Sequence, residues 1–363
     1  MLMTTNILLT DMKHYFLFIL LSAAIATGGC TEELQPQTCG TNGTVPDESE
    51  LTEAVLNLSV NAFVVEAQAE TRASIPSGTP EKETPEEKEI HNIWVFQYDA
   101  ATKELLIKPR YYTITDQAML QDLPVYLKAG VPSVVYVVTN TGYDNWANDG
   151  TDASWQKFKQ LEQLKKQTLP TAFPLRSIDK VSIPMAGASE EVEVTTGITV
   201  TVPVTRMYAK LKVKVEMRKA EMELNNVNVR QIPNICRVET LAGDGKGEPM
   251  EPVPFPDETT FSSIAFAASD LEKNEDKEWA VFYVPENLQG ETQTQGGNKS
   301  DAAPSNALVV DITTEIGGER YLYAAYPGGN SLNNFNIQRN QVYRITVTIT
   351  GEKNQNNPSA NCF

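Results

Sequence analysis

The sequence predicts a mostly β chain built from β-sandwich modules, with one or few short helices. Three observations predict it. Short runs with period-two alternation of apolar and polar residues recur along the chain. Turn-forming Gly, Pro and Asn separate them. One stretch alone, Ser154 to Leu169, carries helical spacing, in Trp155, Phe158, Leu161 and Leu164. Ser154 or Asp152 stands ready to cap it, and Pro170 ends it.

The elements follow in order. Leu56, Leu58, Val60, Ala62 and Val64 alternate with Asn57, Ser59, Asn61, Phe63 and Val65, so Val55 to Val65 reads as a strand with one buried face. Pro76 to Glu89, rich in Pro, Glu and Lys, reads as an exposed linker. Ile93 to Tyr98 and Val134 to Val138 are apolar on both faces, which predicts strands covered on both sides. Ile198, Val200, Val202 and Val204 alternate with threonines. Lys210 to Met217 alternates fully, cations out and apolar groups in. Further strands fit Val227 to Ile232, Trp279 to Val284, Leu308 to Ile312 and Arg320 to Ala325. Val342 to Ile349 closes the series, with Tyr343, Ile345, Val347 and Ile349 inward. Long loops fall at 143–153, 243–258 and 286–305. The break near Pro203 to Met207 divides the chain into modules 73–204 and 205–363.

The start of the chain carries an address. Lys13 and His14 precede the apolar run Tyr15 to Ile25, and small residues lead to Thr27-Gly28-Gly29-Cys30. The run is shorter than the roughly 20 residues of a membrane span, so residues 1–29 read as an export signal. A cysteine at the cut site reads as a lipoprotein, with acyl chains such as palmitate on Cys30; the other reading is an ordinary secretory signal in which Cys30 is incidental. Residues 31–50 are a polar tether.

The 363 residues carry a net charge of −17, which excludes nucleic acid and anionic lipid as electrostatic partners. His14 lies in the signal, leaving His91 as the one histidine of the mature chain, beside an apolar run. A histidine-cluster metal site is thereby excluded, and no cofactor is expected. Cys39, Cys236 and Cys362 form no C-x-x-C pair. A Cys236–Cys362 disulfide is one option outside the cytoplasm, and two unpaired small apolar side chains are the other.

Candidate chemistry fails on spacing. Asp144 to Asp152 is rich in oxygen ligands, yet it does not fit a calcium loop and reads as an Asx-rich turn. Gly243-Asp244-Gly245-Lys246-Gly247 lacks the P-loop spacing and reads as a loop tip. Glu86-Glu87 and Glu190-Glu191 are adjacent carboxylates, expected as solvated charge rather than a facing pair. Nothing positive points to an enzyme.

What remains is the amphipathic first strand and, a few residues on, Thr71-Arg72-Ala73 in an accessible setting natural for a protease. Two readings follow: Arg72 is an ordinary linker residue and the strand stays, or a cut after Arg72 releases lipid, tether and strand together. The vacated groove would then accept a strand from another chain.

Several segments together resemble the fimbrillin family of Bacteroidales, the type V pilins. They are the lipoprotein start, Thr71-Arg72-Ala73, Asn92 to Asp99, Val135 to Asn140 and Ile183-Pro184-Met185. Arg206 to Val213, Tyr283 to Asn287 and Phe335 to Tyr343 continue the series. The resemblance implies two tandem transthyretin-like β-sandwich domains and export to the outer membrane and cell surface. It implies a lipidated propeptide, 30–72, cut by an Arg-specific protease between Arg72 and Ala73, and other pilin subunits as partners through donor-strand insertion. After Gly351 only Glu352 to Phe363 follows, Asn-, Pro- and Lys-rich, a poor donor strand. The expectation is therefore a tip or accessory subunit. The alternative is an uncleaved lipid-anchored binding module or pilus anchor, with Trp146 and Trp155 near the 143–153 loop exposed to stack on a glycan or other host ligand, or Trp155 packed in the core instead.

Overall fold

The structure, a computed structural model, describes residues 51–65, 80–142, 146–147, 154–170, 175–177, 179, 182–239, 251–274, 277–293, 299–330 and 332–350. The export signal, Cys30, Cys39, the tether, Thr71-Arg72-Ala73, Gly243 to Gly247 and the tail with Cys362 lie outside the described residues. So does Asp144 to Asp152, apart from Trp146 and Ala147.

The first half holds β1 (Leu51–Val60), β2 (Val64–Val65), β3 (Asn92–Asp99), β4 (Arg110–Thr113), β5 (Leu123–Lys128), β6 (Pro132–Thr139), α1 (Leu161–Lys165), β7 (Thr168–Pro170), β8 (Leu175–Arg176), β9 (Met185–Ala188), β10 (Val192–Glu193) and β11 (Thr199–Arg206). The second half holds β12 (Tyr208–Met217), β13 (Met222–Pro233), β14 (Ile235–Arg237), β15 (Phe261–Ala267), α2 (Ala268–Leu271), β16 (Ala280–Pro285), β17 (Val309–Ile316), β18 (Glu319–Ala325) and β19 (Gln341–Ile349). The chain is mostly β, as predicted. No helix among the described residues is long and apolar enough to cross a membrane.

The first half is a sheet in the order β4-β3-β6-β9-β11-β1-β5, with β10 on β6. It closes over its own core because β11 serves two ladders. Residues 199–204 pair parallel with β1, and Thr205 and Arg206 pair with β9. Gly187 in β9 makes that crossing possible: a Cβ there would lie 1.8 Å from the Pro203 carbonyl oxygen. Ala54, Leu56 and Leu58 then face Ile93, Val95, Val135 and Val137 in one apolar cluster. The alternate residues of β3, Trp94, Phe96 and Tyr98, enter a second cluster with Phe158, Leu161, Leu164 and Tyr208. That accounts for a strand apolar on both faces.

The second half packs β2-β19-β12-β16-β8 against β15-β13-β17-β18. Leu211, Val213, Phe282, Tyr343, Ile345 and Val347 meet Val227, Val229, Val310 and Ile312 between the sheets. The chain changes sheet between Arg206 and Tyr208. Three short pieces of the first half, β2, β7 and β8, pair with strands of the second.

Two expectations are corrected. Ser154 to Leu169 is not one helix. It is a single 3-10 turn, Gln156–Phe158, then the five residues of α1, then β7. Gln160 is extended (φ −116°, ψ 141°), and neighbouring backbone groups bond to the turn after β3: Leu105 N–H to the Lys159 oxygen, Leu161 N–H to the Lys103 oxygen. Those bonds take the place of helical ones, while Phe158, Leu161 and Leu164 still reach the core. The first strand also stops early. β1 ends at Val60, Ala62 is exposed, and Phe63 rather than Ala62 is buried.

Candidate functional site

β1 is an inserted strand. It pairs parallel with β11 (Leu56 opposite Val200, Leu58 opposite Val202) and antiparallel with β5 (Ala54 opposite Val125, Leu56 opposite Leu123). The inward row Val200–Leu56–Leu123 is buried throughout. Of the five inward positions expected, Leu56 and Leu58 are buried, Val60 and Val64 are half-buried and Ala62 is exposed. The row shifts by two residues, to Ala54, Leu56 and Leu58. Period-two reading places the face correctly and the end wrongly, because the backbone turns at Asn61.

That turn is held by groups from far along the chain. Arg206 donates from Nη1 to the Asn61 carbonyl (2.6 Å), and Asn340 donates from Nδ2 to the Ala62 carbonyl (2.7 Å). Phe63 N–H donates to Glu83 Oε1 (2.8 Å), and Val64 N–H to the Asn340 carbonyl (3.0 Å). Asn340 has φ +59°, the left-handed conformation that asparagine tolerates best after glycine. It lets the residue just before β19 turn its amide towards Ala62. The Phe63 ring is fully buried. The Arg206 guanidinium lies 4.2 Å from its centroid, Lys210 Nζ 5.8 Å, and Tyr283 stacks at 6.5 Å.

Over this turn lie residues 80–89: Pro80, Lys82, Pro85, Glu86 and Lys88 are exposed, as expected of a linker, while Glu81 and Glu83 are half-buried against the expectation. Glu87, expected as solvated charge, is fully buried. It pairs with Lys210 (2.7 Å) and accepts from the Tyr283 hydroxyl (2.7 Å) and from its own turn at Thr84 N–H (2.8 Å). Glu83 pairs with Arg206 (2.9 Å) and Lys88 (2.7 Å), and Glu81 with Lys212 (3.3 Å) and Arg344. Glu190 and Glu191 are exposed as expected.

The local reason is register. Lys210 and Lys212 alternate with Ala209 and Leu211 on β12, so they leave the core on its outer face, and Arg344 sits opposite Lys212 on β19. Glu81 and Glu83 share the same period of two. The cations do point out of the sandwich, and the acidic strap then covers them. Burial raises the Glu81 carboxyl, but Lys212 and Arg344 outweigh it and hold the group below its usual value. Burial, with Glu87 beside it, pushes the Tyr283 phenol well up, so it stays a donor. Burial lowers Arg206 against the pull of Glu83 and Glu87. Beside the strap opens a cleft of about 840 Å³ whose lining includes Glu81, Lys210, Lys212, Lys273 and Lys277.

Other expected residues fall elsewhere. Cys236 is a buried free thiol, pushed up to about 12 by burial, with its sulfur 3.6 Å from Met207 Sδ. Trp146 is not exposed: it is buried edge-on against Phe96 and Phe158. Trp155 is half-buried, with Lys108 over its ring at 5.8 Å. Among the described residues no cluster of His, Cys, Asp or Glu is arranged to hold a metal ion. Arg206, Asn340, Phe63 and the three glutamates were missed. Their one sequence signal is Glu81-x-Glu83 matching Lys210-x-Lys212 in period.

The architecture defines a mostly β chain of the sandwich class with an inserted first strand. A family profile described as domain of unknown function DUF4906 matches residues 282–347. No curated protein is similar in sequence at a significant level. Solved structures similar to this chain are fimbrial and cell adhesion proteins of Bacteroidales. They include a proposed cell adhesion protein of Bacteroides eggerthii (16% identity, 88% of this chain and 92% of that one, TM-score 0.47). The tip fimbrial protein Mfa3 of Porphyromonas gingivalis with a C-terminal truncation is another (14%, 84% and 96%, TM-score 0.48). A fimbrial assembly protein of Parabacteroides distasonis is a third (15%, 84% and 92%, TM-score 0.43).

Proposed function

We propose that this chain is a structural and adhesive subunit of a cell-surface fimbria, in which β1 is a removable strand. The observation that carries the reading is the placement of β1. It sits between β11 and β5 with Ala54, Leu56 and Leu58 buried, and the segment joining it to the rest of the chain contains Arg72. Cleavage between Arg72 and Ala73 by an Arg-specific protease frees residues 30–72, and a strand from a neighbouring subunit takes the slot. Before the cut, lipid on Cys30 holds the precursor at the outer membrane. The two sandwich units divide near 204/205, and the role is structural rather than catalytic. Cys236, buried beside Met207, is read as an apolar core group.

The test is N-terminal sequencing of the protein recovered from cells. A start at Ala73, shifted back to Cys30 in Arg72→Ala, is the expected result. Wild-type protein that starts at Cys30 and still carries lipid would overturn cleavage and leave an anchored surface module.

A further inference from the structure

The slot does not end where the apolar alternation ends. Five positions after Leu58, the last inward residue of β1, Phe63 enters a separate, fully enclosed site. Its walls are Arg206, Lys210, Tyr283 and Glu83, and Asn340 closes its mouth by bonding to Ala62. Every one of these wall residues lies after Arg72 in the sequence, whereas Phe63 lies before it. Resting on the reading that residues 30–72 depart, the socket stays behind when its occupant leaves.

An empty socket is costly in a way an empty groove is not. Arg206 has a fully buried side chain. With Phe63 gone it keeps Glu83, the Glu87 carbonyl and the Asn340 side-chain oxygen (3.2 Å), but it loses the Asn61 carbonyl and the ring face. Glu83 loses the Phe63 N–H, and Asn340 loses the Ala62 carbonyl. Buried donors and acceptors without partners are penalised more than unfilled apolar surface of the same size. A strand that stops at the position of Leu58 would fill the positions of Ala54, Leu56 and Leu58 and leave this centre unsatisfied; one that continues restores the backbone partners, and the ring face is left to the side chain.

We infer that the socket is a specificity device. The segment that replaces β1 is a strand of a neighbouring subunit that places an aromatic ring five positions beyond its last inward residue. It presents free backbone carbonyls two and one positions before that ring, to Arg206 and Asn340. The acidic strap keeps Arg206 and Lys210 neutralised while the socket waits, because Glu83 and Glu87 stay with the mature chain. A cation above the ring face and a stacked tyrosine favour an aromatic over an aliphatic side chain of similar volume.

The experiment uses the full chain with an engineered protease site in place of residues 71–74, so that it does not depend on Arg72. After the cut, a labelled peptide of residues 51–65 competes for the slot against Phe63→Leu, Phe63→Ala and Leu56→Ala peptides. The parent peptide is expected to exchange in, Phe63→Ala to bind roughly 100-fold more weakly, and Phe63→Leu to fall between them. Exchange of the Phe63→Ala peptide within about threefold of the parent would overturn the socket and leave strand replacement standing. No exchange by any peptide, parent included, would overturn strand replacement and the socket with it. Only the peptides vary, so no outcome reduces to a chain that fails to fold.

Discussion

β1 and β19 are the two long strands that pair parallel with their neighbours, β1 with β11 and β19 with β12. Both present an apolar row inward, Ala54-Leu56-Leu58 in one and Tyr343-Ile345-Val347-Ile349 in the other. They differ in what lies on their far side. Among the described residues β19 is flanked there by the two residues of β2, at Gln341 and Val342, and the rest of its outer edge carries no ladder from them. β1 is flanked for six residues by β5, and among the described residues β5 has no other strand partner. A vacancy at β19 would leave one sheet with a new edge. A vacancy at β1 would cut a sheet in two and leave β5 unpaired. A strand of the second kind is a poor candidate for simple loss and a good one for replacement, since whatever enters must satisfy two ladders at once.

The largest expected effect follows from that difference. Emptying the slot after an engineered cut, with no peptide supplied, removes Leu56, Leu58 and Phe63 from the core. It should cost about 5–9 kcal/mol, at 1.5–3 kcal/mol per side chain. Hydrogen exchange should then show β5 losing protection first and β19 keeping it. Protection of β5 unchanged in the emptied chain would break the comparison, because it would mean that β5 does not depend on β1.

A second effect, about half as large, separates the two ends of the charge network under the strap, Arg206 with Glu83 and Arg344 with Glu81. Arg206→Met leaves the Asn61 carbonyl and the Asn340 side-chain oxygen facing an apolar group inside the protein and leaves Glu83 with the half-exposed Lys88 as its remaining cation; breaking a buried pair costs about 3–5 kcal/mol, and Lys88 puts this loss at the lower end. Arg344→Met removes a partner of Glu81 whose own side chain is 24% exposed, and Lys212 remains to hold that carboxylate, so its cost should be well under half as much. Urea denaturation of the two variants checks the order. Equal losses would mean that burial of Arg206 adds nothing to its pairing with Glu83.

How much of this was legible in the sequence divides along the same line. β1, β11, β12 and β19 announce themselves because one face is apolar and the other polar, and period two survives in the bare residue order. β5 has the same alternation, in Leu123, Val125 and Leu127, but Pro124 and the short spacing masked it. β15 is built of Ser262, Ser263 and Ala265 at positions an apolar pattern ignores. The strap was read backwards for a physical reason. Glu81, Glu83 and Glu87 in a Pro- and Lys-rich stretch look solvated until their partners Arg206, Lys210, Lys212 and Arg344 are placed beside them by sheet register, and no local pattern encodes that pairing. Asn340 is similar: its left-handed backbone and its bond to Ala62 join residues nearly at opposite ends of the described chain. Apolar faces are local information, whereas a buried charge network is tertiary information.

The smallest effect tests whether the strap and the strand answer to pH separately. Glu81 has its carboxyl held below the ordinary value of 4.5 by Lys212 and Arg344, against the opposing effect of burial. A folded value below the unfolded one gives stability that is fully present above 4.5 and is lost as pH falls through the folded value. The strap should therefore loosen in acid while β1 does not, since Ala54, Leu56 and Leu58 carry nothing that titrates. Two amides report this side by side: Glu81 N–H, bonded to the Phe63 carbonyl at 2.9 Å, and Val55 N–H, bonded to the Ile198 carbonyl at 2.8 Å. The protection of Glu81 relative to Val55 should drop severalfold on acidification from neutral pH to below that carboxyl's folded value. Glu81→Gln should flatten the trend, and Glu190→Gln, an exposed carboxylate, should not. A constant ratio in the unaltered chain would show that the strap is held by its backbone and by Glu83 and Glu87, with Glu81 a passenger.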